Sequence, residues 1–306
     1  MSNALDLWER PEAEEIYLIG GWRQWADAGS ISSSLPRYLA RKSGARQIGT
    51  IRPDGFYLFQ FPGTHDLVRP VVEFDEGYPE SLSTPSNEFL YAGDERRGYV
   101  YFIGDEPHLD AERYVAAFLE AARELGVKRI LTFGGVYGEL PYDKERTVSG
   151  IYSLPHMRQE LENLAVTLSD YHGGASIGSY VCKRAGEQEI EHISFYAFVP
   201  TYDFSALNEI GNAIRIENDY MAWLGVMRRV IYMLNMEFDL SDLERKSRRL
   251  IKIVDAKVDE LDGMAPQLGV RDYLDRLSDD FTEVTFQPLD DVWEEEFRRL
   301  FEDDSE

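Results

Sequence analysis

The first segment whose residue types suit ligand binding or catalysis comprises residues 20–29, which directly follow a short apolar run. Its glycines permit a tight turn and a close approach of a ligand to the backbone, and ligands collect at such strand ends in open α/β sheets. The glycine spacing is that of neither a dinucleotide-binding fingerprint nor a P-loop. Asp27 can orient a polar ligand or cap the helix that follows. We favour the cap, with Trp22 and Trp25 packed over the sheet edge.

A second segment, residues 153–158, brings an imidazole and a guanidinium into the first turn of a predicted helix. Ser153 is the expected N-cap, and a proline two residues later is typical of an opening helical turn. His156 and Arg158 at such a position can hold a carboxylate or a phosphate, because a helix N-terminus favours anions. A structural salt bridge or a subunit contact explains the same two residues equally well.

Two glycine-rich segments complete the candidates for binding. Gly173, Gly174 and Ser176 precede a predicted helix, a combination typical of an anion-binding nest, although most loops of this kind simply connect elements. Residues 134–141 follow a predicted strand, and Glu139 is the only carboxylate among them. A glutamate in a loop is far more often solvated than catalytic. The candidate ligand-binding residues are therefore Asp27, Glu139, His156, Arg158, Gly173, Gly174 and Ser176.

Sequence signatures of known catalytic centres are absent from the chain. The five histidines show no HExxH or clustered metal-ligand spacing, and no GxSxG nucleophile motif occurs. Cys182 falls within a predicted helix, where an inert buried thiol is the usual case. We therefore expect no catalytic residue, no metal site and no cofactor, and the sequence leaves open whether the protein is an enzyme.

The composition indicates an acidic globular protein with a formal net charge of −24. This charge disfavours binding to nucleic acids and to anionic membranes. No stretch approaches the roughly 18–20 consecutive apolar residues of a membrane span. The N-terminus lacks the basic-then-apolar order of a signal peptide, and the single cysteine excludes an intrachain disulfide. We expect a cytoplasmic protein that binds neither nucleic acid nor membranes. The 25 arginines against 7 lysines fit a GC-rich genome or a salt-adapted host.

Strands and helices are predicted to alternate along most of the chain. Nearly continuous apolar runs predict four buried strands, at residues 16–19, 99–103, 129–133 and 192–199. Helical spacing of apolar residues predicts helices near residues 30–41, 110–126, 157–168 and 177–188. This alternation predicts an α/β fold with a mixed, mostly parallel sheet flanked by helices.

Two parts of the chain depart from that alternation. Residues 44–101 contain short strand candidates at 47–51, 56–61, 71–74 and 87–91, which predict an antiparallel or mixed patch. The last third predicts helices at about 208–235 and from Ser241 onward, followed from Asp279 by an acidic, marginally ordered tail. We therefore divide the chain into an α/β domain, residues 1–236, and a helical acidic C-terminal extension, residues 237–306.

Taken in order, several of these segments resemble the proteasome assembly chaperone 2 family in its bacterial and archaeal form. The resemblance covers about residues 14–236. The motifs that carry it are a Gly-x-x-x-Trp-x-Asp-Ala-Gly loop at 21–29, Arg69-Pro70, Gly104-Asp105-Glu106-Pro107, Pro155-His156-Met157-Arg158 and the turn 173–178. Ala26 stands where many relatives have asparagine, and Met157 where threonine is frequent.

The resemblance implies a fold similar to that of the purine nucleoside phosphorylases, assembled as homo-trimers or larger rings. It also implies two functional classes, because some relatives act as chaperones of proteasome subunits and others are labelled carboxylate–amine ligases. We favour a non-enzymatic oligomeric assembly or interaction protein with protein partners. The alternative is an enzyme or binding protein for a small anionic ligand of the nucleoside or carboxylate type, with His156 as proton carrier and Arg158 as anion clamp.

Overall fold

A mixed sheet of nine strands forms the centre of the computed structural model, which describes residues 4–60, 69–202 and 216–286. Two further strands form a separate ribbon. In chain order the strands are β1 (Leu5–Leu7), β2 (Glu15–Arg23), β3 (Arg46–Ile51), β4 (Val71–Asp75), β5 (Tyr78–Ser83), β6 (Asn87–Gly93), β7 (Arg97–Asp105), β8 (Val127–Gly138), β9 (Val148–Tyr152), β10 (Thr167–Leu168) and β11 (His192–Pro200). The order across the large sheet is β1-β3-β6-β7-β2-β8-β11-β9-β10, and β4 and β5 form the ribbon.

The four strands at the centre of the sheet, β7, β2, β8 and β11, are parallel to one another. Each contains one of the four predicted apolar runs, so these predictions are confirmed. The runs are continuously apolar because helices cover both faces of the sheet here. The outer strands β6, β3 and β1 on one side and β9 on the other pair antiparallel with their inner neighbours. The predicted mixed α/β fold is therefore confirmed.

Helices pack on both faces of this sheet. They are α1 (Ile31–Lys42), α2 (Ala111–Glu124), α3 (Arg158–Glu162), α4 (Ile177–Gly186), α5 (Tyr220–Leu234), α6 (Ser241–Met264) and α7 (Val270–Asp280). Successive side chains of a strand point to opposite faces. Tyr17 and Ile19 of β2 accordingly join an apolar cluster with α1, α5 and α6, whereas Ile16 and Leu18 join a second cluster with α2 and α4.

The prediction of a helix at residues 157–168 is wrong over most of that range. Only α3 is an α-helix there, and its chain enters the left-handed region at Ala165, with φ of 51°. Residues 167–168 then form β10 and pair with β9. Leu161 and Leu164 are nevertheless buried. Leu161 belongs to the short helix and Leu164 to the loop after it, so the apolar spacing that predicted a long helix comes from two different elements. Ser153 is not its N-cap either, because its hydroxyl donates to the carbonyl of Ile190.

The predicted strand at residues 56–61 is also wrong in its described part. Residues 54–56 form a turn, and residues 57–60 are not part of a strand. Phe56 is fully buried because its ring packs edge-on against Tyr114 of α2. The antiparallel patch predicted for this region is confirmed in β3, β6 and the β4–β5 ribbon. The pattern missed β5 altogether.

The helix predicted from residue 208 begins at Tyr220, and residues 208–215 of that prediction lie outside the described part of the chain. Asp219 starts the helix, since its Oδ1 accepts hydrogen bonds from the backbone N–H groups of Met221 and Ala222. Its other oxygen accepts a hydrogen bond from Arg146 Nε at 2.7 Å, and neither side chain is exposed to solvent. This ion pair joins the loop before β9 to α5.

The described part of the C-terminal extension contains two helices, as predicted. Leu243, Val254, Val258 and Leu261 of α6 are buried in the same apolar cluster as α5 and one face of the sheet. Helix α7 continues the helical region to Asp280, one residue beyond Asp279, where the acidic tail was predicted to begin. Residues 287–306 lie outside the described part of the chain. The domain boundary after residue 236 stays a prediction.

Candidate functional site

The carboxyl ends of the central parallel strands meet at one edge of the sheet, which we call the carboxyl edge. The segment after β2 lies against β8 there, because the N–H of Gly135 donates to the carbonyl of Ala26 at 2.8 Å. Asp27 forms an isolated parallel bridge with Gly135. The segment before α4 reaches the same edge, where a Cβ atom built on Gly174 would lie 4.0 Å from the indole of Trp25. Three of the four candidate segments therefore converge at or beside this edge.

Asp27 caps α1 at the carboxyl edge. Its Oδ1 accepts hydrogen bonds from the backbone N–H of Ser32 at 3.0 Å and of Ser33 at 2.9 Å. Burial raises the pKa of the Asp27 carboxyl above its ordinary value. The structure thus shows the capping role that the sequence favoured. Trp22 is buried, but Trp25 is 71% exposed, so the predicted packing of Trp25 over the sheet edge is wrong. The role of Asp27 in ligand binding stays a prediction.

Glu106 occupies the neighbouring helix N-terminus. It follows β7, and its Oε1 accepts a hydrogen bond from the N–H of Ile177, the first residue of α4, at 2.7 Å. Its Oε2 accepts one from the N–H of Trp25 at 3.2 Å. Burial raises the pKa of the Glu106 carboxyl. A carboxylate of the protein itself therefore fills the position where an anion would bind to α4.

The sequence pattern did not identify Glu106 as a site residue. The available signal was its place in the segment Gly104-Asp105-Glu106-Pro107, directly after a predicted strand. Carboxyl ends of parallel strands meet at one edge, so this position already indicated proximity to residues 20–29. The hydrogen bonds to two other loops depend on tertiary packing and leave no trace in the local sequence.

Ser176 is the N-cap of α4. Its Oγ accepts a hydrogen bond from the N–H of Ser179 at 3.2 Å and lies 3.0 Å from the hydroxyl of Tyr196. Gly173 and Gly174, in contrast, are exposed. The predicted nest thus consists of a capped helix start preceded by an exposed loop. Binding of an anion by these three residues stays a prediction.

Buried hydroxyl groups continue inward from Ser176 between β8 and β11. Thr132 Oγ1 lies 2.5 Å from Ser194 Oγ and 3.2 Å from His192 Nε2, and all three residues are buried. Burial lowers the pKa of His192 to about 3, so its imidazole is neutral at physiological pH. The space enclosed beside Thr132, Ser176 and Tyr196 is about 10 Å³. That volume suits one water molecule.

His156 and Arg158 lie at the opposite edge of the sheet. His156 Nε2 is 3.2 Å from Glu191 Oε1, and Glu191 immediately precedes β11. Arg158 Nε donates to Glu162 Oε1 one helical turn away at 2.8 Å. Asp27 bridges Gly135, whose partner Ala197 lies five residues along β11 from His192, a separation of roughly 17 Å. A small ligand beside Asp27 therefore cannot also contact this histidine and arginine, which corrects the single site in which the alternative hypothesis combined them.

Glu139 connects the end of β8 with the C-terminal helices. Its carboxylate accepts a hydrogen bond from the hydroxyl of Tyr273 on α7. Burial, followed by this contact, raises the pKa of Tyr273 to about 12. The described role of Glu139 is thus a contact between the sheet and α7. A ligand-binding role for Glu139 stays a prediction.

Replacing Glu106 by glutamine is expected to change stability in a pH-dependent way. Because burial raises the pKa of this carboxyl in the folded protein, its protonation favours the folded state. The wild type loses this contribution as the pH rises from the ordinary value of 4.5 through the raised pKa. Its advantage in free energy of unfolding over Glu106→Gln should therefore be largest below pH 4.5 and shrink toward neutrality. Urea unfolding of both proteins over this range measures the difference.

Glu112 provides the matched control for this experiment. A hydrogen bond from Tyr180 is the largest cause of the lowered pKa of its carboxyl. The advantage of the wild type over Glu112→Gln should therefore grow as the pH rises, which is the opposite trend. A difference between wild type and Glu106→Gln that does not vary with pH would show that Glu106 is not held in the buried position.

Within residues 4–60, 69–202 and 216–286, no helix is long and apolar enough to span a membrane. In the same ranges, no three histidine, cysteine, aspartate or glutamate side chains are grouped so that they could hold a metal ion.

Cys182 is buried, and burial raises the pKa of its thiol to about 12. This thiol is therefore protonated and not nucleophilic in the folded protein.

Proteins of known structure share this fold over most of their length. A PAC2 family protein from Streptomyces avermitilis is 21% identical, with a TM-score of 0.67 over 80% of this chain and 97% of its own. A proteasome-assembly chaperone homologue from Mycobacterium tuberculosis is 20% identical, with a TM-score of 0.68 over 78% of this chain and 94% of its own. PbaB of Pyrococcus furiosus, an archaeal proteasome activator, is 17% identical, with a TM-score of 0.59 over 82% and 97%.

These identities indicate a shared fold and leave the activity open. No curated protein shows significant sequence similarity to this chain. The model of the PAC2 family, however, matches residues 21–258, which is more than half of the sequence and includes the carboxyl edge. It also includes the β4–β5 ribbon and most of α6. The chain therefore belongs to the PAC2 family.

Proposed function

We propose that this protein is a non-enzymatic assembly or interaction protein that works as a cytoplasmic homo-oligomer. The observation that carries the proposal is the β4–β5 ribbon, in which every residue is exposed. The names of two similar structures, a proteasome activator and a proteasome-assembly chaperone homologue, support a role in binding other proteins. A patch of exposed apolar side chains is typical of a protein-binding surface.

One face of the ribbon is apolar. Val72 pairs with Leu82 across the two strands, and Phe74 lies on the same face as Val72 because side chains alternate along β4, where the extra residue of the register shift belongs to β5. The opposite face carries Val71 and Asp75 as well as Glu73, which accepts a hydrogen bond from its cross-strand partner Ser81. Phe74 is 62% exposed and Leu82 is 64% exposed. The ribbon thus exposes a group of large apolar side chains that the described part of this chain does not cover.

Such a ribbon needs a partner for its stability. A two-stranded hairpin is at best marginally stable by itself in water. Covering the apolar face of Val72, Phe74 and Leu82 contributes roughly 25 cal/mol per Å² of apolar surface removed from water. Contact with another protein molecule would therefore both order the ribbon and stabilise the complex.

Charge complementarity favours a second copy of this chain as that partner. The turn and edges of the ribbon carry four carboxylates, on Glu73, Asp75, Glu76 and Glu80. Helix α6 exposes the opposite charge at helical spacing, which we call the basic stripe and which consists of Arg245, Arg248, Arg249 and Lys252. Among the described residues, Arg249 and Lys252 have no ion-pair partner. A ribbon on one copy and a basic stripe on the next form a head-to-tail contact, which closes into a ring when the rotation permits.

Replacing Phe74 by serine is expected to weaken self-association at least tenfold. The change removes a large apolar side chain from the centre of the proposed interface, where such residues contribute most to binding. Light scattering coupled to size-exclusion chromatography measures the molar mass over a dilution series. The matched control is Met264→Ser, because Met264 is equally exposed, at 61%, but lies at the end of α6 away from the basic stripe.

A charge exchange tests the assignment of the two surfaces. Lys252→Glu should weaken association because it opposes like charges, and Glu80→Lys added to the same chain should restore it partly. A wild type that stays monomeric at concentrations of about 100 µM, where interfaces with micromolar affinity are saturated, would overturn the proposal. Equal association of wild type, Phe74→Ser and Met264→Ser would overturn the role of the ribbon.

The alternative function, binding of a small anion at the carboxyl edge, has less support from the geometry. The carboxylates of Asp27 and Glu106 already accept hydrogen bonds from the N-terminal N–H groups of α1 and α4. An incoming anion would have to displace them and would meet their negative charge.

A further inference from the structure

A cleft of about 250 Å³ lies where α5 and α6 meet the loop between β8 and β9. It is separate from the carboxyl-edge residues Asp27, Glu106 and Ser176, none of which contributes to its walls. Three arginines contribute to the walls, namely Arg146, Arg228 and Arg248. The apolar part of the walls consists of Met221, Leu224 and Ile251. The other lining residues are Ser247, Gly225 and the two carboxylates Glu145 and Glu244.

Arg146, one of the residues that line this cleft, has one nitrogen without a hydrogen-bond partner among the described residues. Its Nε donates to Asp219, and its Nη1 donates to the carbonyls of Pro141, Tyr142 and Lys144. Its Nη2 is buried and has no partner among the described residues. A buried donor without an acceptor costs roughly 1–3 kcal/mol, so a native structure that retains one calls for an acceptor at that place.

The other two arginines differ in their pairing. Arg228 Nη1 binds Glu145 Oε1 at 2.9 Å, and its Nη2 is 3.9 Å from Glu244. These carboxylates therefore neutralise Arg228. Arg248 is exposed and makes no hydrogen bond or ion pair with another described residue. The lining thus offers two sets of unused donors, one from Arg146 and one from Arg248, and its carboxylates are already engaged.

We infer that this cleft binds a small molecule with an oxyanion head, a carboxylate or a phosphate, and a short apolar body. Arginine is the residue best suited to hold such a head, because its guanidinium donates two parallel hydrogen bonds to two oxygens. The side chains of Met221, Leu224 and Ile251 give the apolar body a complementary wall. A volume of about 250 Å³ limits the ligand to fewer atoms than a typical drug-sized molecule.

Titration calorimetry of the full chain with butyrate and with inorganic phosphate tests this inference. Binding of either probe supports the site, and the tighter binder identifies the head group. Replacing Arg248 by alanine should weaken binding about tenfold or more, because it removes a charge-assisted hydrogen bond. Arg37→Ala is the matched control, since Arg37 is an exposed arginine on α1 that does not contribute to the cleft.

A second variant fills the cleft without removing a charge. A Cβ atom on Gly225 would meet only Arg229 Nη1, at an ordinary contact distance of 3.7 Å, so the first carbon of the leucine in Gly225→Leu has room, and leucine favours helix formation over glycine. It should abolish binding of both probes. The inference is overturned if neither probe binds the wild type, or if Gly225→Leu and Arg248→Ala bind as tightly as Arg37→Ala does. Calorimetry reports ligand binding and light scattering reports molar mass, so this inference and the proposed function can fail separately.

Discussion

Replacing Gly135 by alanine is expected to destabilise the protein by about 3 kcal/mol or more, at the upper end of what overpacking costs. A Cβ atom at this position would overlap the carbonyl oxygen of Ala28 and come within 2.8 Å of its carbonyl carbon and its nitrogen. These are backbone atoms, which cannot rotate away as the end of a side chain would. The segment that carries Asp27 would therefore have to move off β8.

The control for this substitution is another glycine of the same protein. Gly263 lies within α6, and a Cβ atom built there meets no other heavy atom within 4 Å. Gly263→Ala should therefore stabilise the protein by up to about 1 kcal/mol, because alanine favours the helix. Urea unfolding of the three proteins measures both changes. Two glycine variants of equal stability would contradict the close packing of the loop on β8.

Replacing Arg146 by alanine should lower the free energy of unfolding by about 3–5 kcal/mol. The charge of Asp219 would remain buried without its partner, and three carbonyl groups of the 141–144 loop would lose their donor. The exposed pair of Arg158 and Glu162 provides the control, because such surface pairs contribute at most about 1 kcal/mol.

A double variant separates the ion pair from the other contacts of Arg146. Asp219→Asn keeps an oxygen that can accept the hydrogen bonds from Met221 and Ala222 and removes the charge. Arg146→Met combined with Asp219→Asn should therefore cost less than the sum of the two single changes. Strictly additive costs, measured by urea unfolding, would contradict direct coupling between the two side chains.

The three proposed binding surfaces, namely the ribbon, the basic stripe and the cleft, lie outside the central nine-stranded sheet. The ribbon is separate from the nine-stranded sheet, and the basic stripe and the cleft both involve α6. Arg248 belongs to the basic stripe and also lines the cleft. Ligand binding and self-association would therefore influence each other if both proposals hold, since one arginine cannot serve two anionic partners equally well.

The sequence by itself determined the elements that depend on local patterns. The four central strands were recognisable because a strand covered on both faces is apolar at nearly every position. Helices α1, α2 and α4 were recognisable from apolar spacing and from their end residues, such as Ser176. The ordered motifs were sufficient to indicate the family. These features are encoded within a window of about ten to twenty residues.

Only the tertiary structure decided which of the candidate side chains meet. His156 and Arg158 lie far from Asp27 because β9 runs antiparallel to β11, and strand direction is not encoded in strand composition. Arg146 and Asp219 are 73 residues apart in sequence, yet they form a fully buried ion pair. The carboxylate of Glu106 fills a helix start that the glycine pattern had presented as open. Long-range contacts of this kind follow from the packing of whole elements, because no local spacing records which distant group supplies the partner.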